Sequence, residues 1–216
     1  MPAPAPSTEA LVLTLQDAIK PSRAAVKSKY AKGKGGAKGK KRDDDAVALP
    51  AHIAPEPKNQ QERREWDRMS SRMEGFHSYF RAAFKQLFEL ADGSFEKRGL
   101  SVSDFMDVAE DFLRHLEGHH GIEERYIFPV LSKRMPQFAD DHQEEHDTIH
   151  EGMHKLELLI SKYRTDPSSY SPTDFRAHLA SWGPVLFYHL DAEVQSLKPD
   201  ILRRYWSLEE VKRLPM

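Results

Sequence analysis

Apolar residues recur at steps of three and four along most of the chain from Gln61 onward, the period of an amphipathic helix. Trp66, Met69, Met73, Phe76, Phe80, Phe84 and Leu87 predict a first helix to about Ala91, ended by Asp92-Gly93. Ser101 with Asp104 has the form of a capping box and opens a second helix, carried by Phe105, Val108, Phe112, Leu116, Ile122, Tyr126 and Val130 to near Pro136. A third begins around Phe138 and continues through Ile149, Met153, Leu156, Ile160 and Tyr163. After the loop RTDPSSYSPTD, Phe175, Leu179, Trp182, Leu186, Leu190 and Leu197 mark a fourth, with a kink expected at Pro184. Strand signals are essentially absent. Four long amphipathic helices on short loops predict an all-α, up-down-up-down four-helix bundle over residues 61–205. Residues 206–216 form a short C-terminal segment, with a terminal helix expected over Tyr205–Leu214 on the outside of the bundle.

The first sixty residues lack this period. A Pro/Ala run leads into the Lys/Gly-rich tract AAVKSKYAKGKGGAKGKKRDDDAVALP, which cannot bury enough surface to offset its ordering entropy, so residues 1–60 read as disordered. A short helix over Ala10–Lys20 would carry no functional information. With 11 basic and 6 acidic residues this region is near +5, against a whole-chain net charge of −2. The tract suits a solvated linker best, and a nuclear-import or polyanion-binding tail second. The bundle itself has no charge balance for nucleic acid.

Composition changes the picture in one respect. The 216 residues hold no cysteine and eleven histidines. Without cysteine there is no disulfide framework, thiolate zinc site, thiolate-bound iron–sulfur cluster or thiol nucleophile. No stretch reaches the roughly 20 apolar residues needed to span a bilayer, and the N-terminus reads poorly as a signal. The expected setting is intracellular, cytoplasmic or nuclear, with no membrane partner.

Several histidines lie inside the apolar stripes. His77 continues the first, His119 and Glu123 the second, His146 and His150 lead into Met153 on the third, and His189 and Glu193 follow Leu186 on the fourth. Burying such groups costs several kcal/mol unless they are paired or bound to a metal. His119/Glu123, His146/His150 and His189/Glu193 are each four apart, which stacks two side chains one turn apart on one helix face. Measured from the connecting loops, these pairs fall within a few ångströms of one level, at about 1.5 Å per residue. The ladder His142, His146, His150, His154 spans about 18 Å, so not all four reach one site. His115, His142, His154 and His178 read as satisfied core histidines. His120/Glu124 is a second pair of the same spacing, and periodicity separates it only narrowly from His119/Glu123.

Five imidazoles and two carboxylates exceed the needs of one tetrahedral zinc. They suit two borderline first-row ions bridged by carboxylates, iron first and manganese or zinc behind it. The order is His-then-Glu, not the Glu-x-x-His of ferritin-like di-iron bundles.

The string HHGIEERYIFPVLSKRMP closely resembles the signature of hemerythrin-like, HHE cation-binding domains. FHSYFR, EEHDTIHEGMHKL and WGPVLFYHLDAEV resemble its other motifs, so the resemblance covers roughly residues 61–205 and all four helices. It places the family's HxxxE-E-xx-[LI]-F-P pattern on His119, Glu123, Glu124 and Ile127–Pro129. The resemblance implies one iron on His77 and His119, a second on His146, His150 and His189, and bridges from Glu123 and Glu193. There is one departure. Oxygen-carrying hemerythrins have an aspartate five positions after the last histidine, where this chain has Val194, with Glu193 one residue earlier. That HxxxE form is common in HHE proteins that do not store oxygen.

The expected function is a non-haem di-iron protein binding O2 or a related ligand such as NO or peroxide, beside an apolar pocket of Phe76, Phe80, Phe112 and Leu186. The alternative is an iron- or oxygen-responsive sensor whose bundle stability follows metal occupancy. No general base or nucleophile stands beyond the ligands, so a binding role is read ahead of an enzymatic one.

Overall fold

The computed structural model describes residues 53–216. The basic tract and the short helix over Ala10–Lys20 lie outside the described residues. Seven α-helices are present among the described residues: α1 (Gln60–Leu90), α2 (Val102–Ile122), α3 (Phe128–Leu131), α4 (Asp141–Thr165), α5 (Pro172–Ser196), α6 (Pro199–Leu202) and α7 (Leu208–Val211). The four long ones pack as a closed ring, α1 on α2, α2 on α4, α4 on α5 and α5 back on α1. This is the all-α bundle that the hydrophobic pattern predicts.

Local chemistry fixes the helix ends. Asn59 caps α1 by accepting from the Glu62 amide at 2.9 Å. Gly93, at φ 92°, takes the left-handed turn that stops α1, a conformation glycine adopts without steric cost. Ser101 and Asp104 form the reciprocal capping box that opens α2. α5 runs on through Pro184 without a break. The third long helix starts at Asp141, not Phe138. Pro136–Phe138 forms a short 3-10 turn instead, and Phe138 is buried beside Phe128.

α2 and α3 are joined by a single π-helical segment, Glu123–Ile127, in which the Phe128 amide donates to the Glu123 carbonyl five residues back. Pro129 explains it. Proline supplies no N–H, and in an α-helix its ring would strike the carbonyl of Arg125, so the turn widens. The buried face passes through this segment at helical spacing, as Leu116, His120, Glu123, Ile127 and Leu131. Ile127, Phe128 and Leu131 go inside, whereas Ile122 and Tyr126, both expected in the stripe, are 56% exposed.

The apolar interior divides in two. One cluster holds Phe80, Phe84, Phe112, Leu156, Leu179 and Leu186 with their neighbours. The other holds Trp66, Met69, Met73, Phe128, Leu131 and Leu197. Residues 206–216 belong to the second, since Trp206, Val211 and Leu214 are buried there. Arg68 secures them by donating to the carbonyls of Val211 at 2.6 Å and Leu214 at 3.1 Å. The described chain before α1 is also docked. The Ala54 amide donates to the Arg203 carbonyl and the Arg203 Nε to the Ala54 carbonyl, both at 2.9 Å. Between the two apolar clusters, each long helix contributes polar side chains at one level.

Candidate metal centre

That polar layer contains His77 from α1, His119, His120 and Glu123 from α2 and its π-segment, His146 from α4, and His189 and Glu193 from α5. His77, His120, His146, His189, Glu123 and Glu193 are fully buried. Nitrogens and oxygens of His77, His119, Glu123 and Glu193 form one group whose atoms lie within 4.8 Å of one another, and those of His120, Glu123, His146 and His189 form another.

The tautomers follow from the outer partners of each ring. His77 Nδ1 donates to the Leu190 carbonyl at 2.7 Å, which leaves Nε2 as a lone pair pointing inward. His146 Nδ1 donates to Glu124 at 2.8 Å, and His189 Nδ1 to Glu145 at 3.1 Å. Both of their Nε2 atoms are therefore lone pairs, and these face each other at 3.1 Å. His77 and His119 meet through Nε2 at the same distance, 3.1 Å.

The carboxylates sit between the two imidazole pairs. Glu123 turns Oε1 toward His119 at 3.1 Å and Oε2 toward His146 at 3.5 Å. Glu193 Oε2 stands 3.3 Å from His77 and 3.8 Å from His189. None of the four oxygens of Glu123 and Glu193 has a well-formed hydrogen bond.

Electrostatics shows what this costs. Burial, reinforced by the imidazole of His77, pulls His119 down to about 3. Burial likewise holds His120, His146 and His189 below their ordinary range, so these rings are neutral at pH 7. Burial and the adjacent Glu193 push Glu123 well up. Two buried carboxylates this close cannot both stay ionised without a cation, so the metal-free pair shares a proton.

The residues fit a pair of cations. Adjacent nitrogen ligands stand about 3 Å apart when metal–nitrogen bonds are about 2.1 Å and meet near a right angle. Opposed lone pairs at that spacing and unpartnered carboxylate oxygens are what such ions would satisfy. A carboxylate with one oxygen toward each imidazole pair is suited to bridging.

An outer set of bonds orients the ligands. Ser196 Oγ donates to His142 Nε2 at 3.1 Å, and His142 Nδ1 donates to Glu145 at 3.0 Å. Burial opposes ionisation of Glu145, but the hydrogen bonds from His142 and His189 outweigh it and hold that carboxyl at about 2. Such partners fix ligand tautomer and raise ligand basicity. The sequence spacing gave no sign of this role for Glu145 or of the bond from Glu124 to His146. Their signal was an acidic residue beside a candidate ligand, which is common on any helix.

Six of the seven side chains singled out by spacing meet in the layer: His77, His119, Glu123, His146, His189 and Glu193. His150 does not. Its side chain is 38% exposed and its Nε2 meets Glu124 at 3.2 Å, in a third group formed by Glu124, His146 and His150 at the edge of the two inner ones. His142 and His178 are satisfied inside the fold, His178 by the Gly152 carbonyl at 2.9 Å. His115 and His154 are at the surface, contrary to their reading as core residues. Of the expected apolar pocket, Phe80, Phe112 and Leu186 are buried, but Phe76 is 55% exposed. Phe80 packs on His119 with ring centroids 4.9 Å apart, and Phe128 on His146 at 4.9 Å.

The comparisons agree with this layout. The chain is similar to a protein of Cryptosporiopsis sp. (strain 8999) named dimeric xanthone biosynthesis cluster protein R11, with 31% identity over 98 residues. The match covers 44% of this chain and 37% of that protein, so it spans little more than a third of the relative's length. No solved structure matches. Residues 68–201, well over half of the chain, match the model of the hemerythrin HHE cation binding domain, and the chain belongs to that family.

Proposed function

We infer that this chain is a non-haem di-iron protein that binds O2 or a related small ligand such as NO or peroxide. The observation that carries this reading is the approach of His146 and His189 through two Nε2 lone pairs, with no proton available between them. His77 and His119 would hold one ion, His146 and His189 the other, and Glu123 and Glu193 would bridge them. Iron in its reduced form would supply two electrons to a ligand bound there.

The chain's own residues set the conditions. Leu190, Glu124 and Glu145 hold the imidazole protons on the outer nitrogens and so aim the inner lone pairs. Phe80 and Phe128 shield His119 and His146 from water. The His77/His119 half brings two imidazoles beside the bridging carboxylates, which leaves room for an outside ligand. Manganese or zinc would suit the same donors less well than iron.

The test is the electronic spectrum of anaerobically iron-loaded protein before and after exposure to O2 or azide. Bands of an oxo-bridged diferric pair that shift with azide support the reading. A featureless spectrum with iron bound would contradict the small-ligand part of it.

A sensor role is a second reading, favoured by the buried polar layer that stays unsatisfied without a cation. Metal loss should then loosen the bundle. Equal protease resistance with and without iron would count against it.

A further inference from the structure

His120 is the polar side chain in the layer that is not among the seven singled out by spacing. It is fully buried, and neither ring nitrogen has a hydrogen-bond partner. The three other buried histidines of the layer each have an outer partner for Nδ1, so an imidazole with both nitrogens unmatched is an anomaly.

Its neighbours say which way it is directed. The ring stacks on His146 with centroids 3.9 Å apart and planes 13° from parallel, and meets His189 edge-on at 5.7 Å. One of its nitrogens lies within 4.8 Å of the donor atoms of Glu123, His146 and His189. His119, one residue earlier, faces the other half, with His77 at 3.1 Å. Consecutive residues on a helix point about 100° apart. α2 lies between α1 and α4, so the doublet His119-His120 sends one imidazole toward each half of the centre.

His150 lies nearer the surface, in a separate group with Glu124 and His146. It is part-exposed and bonded to Glu124, which in turn accepts from His146 Nδ1. It therefore serves in the chain of bonds that fixes the His146 tautomer.

We propose that His120, and not His150, is the third imidazole ligand of the metal ion held by His146 and His189. This assignment rests on the di-metal reading above and deepens it. It makes the two halves unequal, with His77 and His119 on one side and His120, His146 and His189 on the other, so an outside ligand meets the His77/His119 ion first.

The test uses the full chain, Co(II) as the probe, and two substitutions. His120→Leu keeps the volume and removes the donor, and His150→Ala removes the outer imidazole. Three quantities are read: Co(II) stoichiometry and affinity, the ligand-field spectrum, and the melting temperature of the metal-free chain. His120→Leu should weaken one of the two Co(II) sites at least about tenfold and shift its bands. Its metal-free form should melt at or above the wild type, because an unpartnered buried group has been removed. His150→Ala should keep both sites, with a smaller effect confined to the His146 half.

Wild-type affinity at both sites in His120→Leu, or loss of a site in His150→Ala alone, would overturn the assignment while leaving the di-metal reading intact. A wild-type chain that takes up no Co(II) or iron would overturn both together. Should His120→Leu not fold, ring-nitrogen NMR of the Zn(II)-loaded wild type decides. A metal-bound shift at His120 supports the assignment, and a free His120 beside a bound His150 overturns it.

Discussion

His146 and His189 face each other through Nε2 at 3.1 Å while each gives its Nδ1 proton to a carboxylate, Glu124 and Glu145 respectively. Two lone pairs do not attract. A cation between them would turn that repulsion into two bonds, and the remainder of the layer follows the same logic. Replacing His189 by Ala should therefore abolish metal uptake at that half and lower the melting temperature of the loaded chain toward that of the metal-free one. Metal analysis and thermal unfolding with and without iron would check this.

Glu145 touches no proposed metal position, yet it holds both His142 and His189. Glu145→Gln keeps the shape and weakens the acceptor. Metal affinity should fall about 10- to 100-fold while stoichiometry at saturation is unchanged. A competitive titration against a chelator would read it, and unchanged affinity would remove Glu145 from the account.

The metal-free fold should be acid-sensitive. Burial holds His119, His120, His146 and His189 below their ordinary 6.5, His119 to about 3. The unfolded chain then binds more protons than the folded one below about pH 6.5, so stability is full above that pH and is lost as pH falls through it. Each such histidine contributes up to about 1.4 kcal/mol per pH unit in that window. Glu123 acts with the opposite sign. Its raised value means the folded chain keeps a proton that the unfolded chain has released, a stabilisation lost as pH rises through the folded value. Denaturant unfolding between pH 7 and 5 should show a steep loss for the metal-free chain and a shallower one for the loaded chain. A flat metal-free profile would contradict the neutral, buried state of these rings.

Gly152 marks a close approach of α4 to α5. A Cβ there would meet Trp182 Cγ at 2.5 Å and its Cβ at 2.8 Å. Gly152→Ala should destabilise the metal-free chain by about 1–3 kcal/mol, because Trp182 is buried between the helices and has little room to move. Chemical denaturation measures it directly.

Much of this fold was legible in the sequence because its helices are strongly amphipathic and their ends carry explicit signals, such as the Ser101–Asp104 box and Gly93. The polar layer was legible for the same reason. His77, Glu123, His146, His189 and Glu193 interrupt apolar stripes at places where an unpaired group would be costly. What escaped the pattern depended on rotation about the helix axis. Periodicity read Ile122 and Tyr126 inward because they are apolar, but both point out, and Leu116, His120, Glu123, Ile127 and Leu131 hold the buried face. Nor could periodicity choose between His119 and His120, which turn to different neighbours, or see that His150 pairs with Glu124 at the edge. The role of Glu145 was hidden because it depends on a residue 44 positions away.

The most direct measurement of the central claim is the iron content of the full chain after anaerobic loading and removal of free metal. The account predicts about two irons per chain, falling by about one when His77 or His189 is replaced by Ala. A folded wild-type chain of full helical content that retains no iron would contradict it.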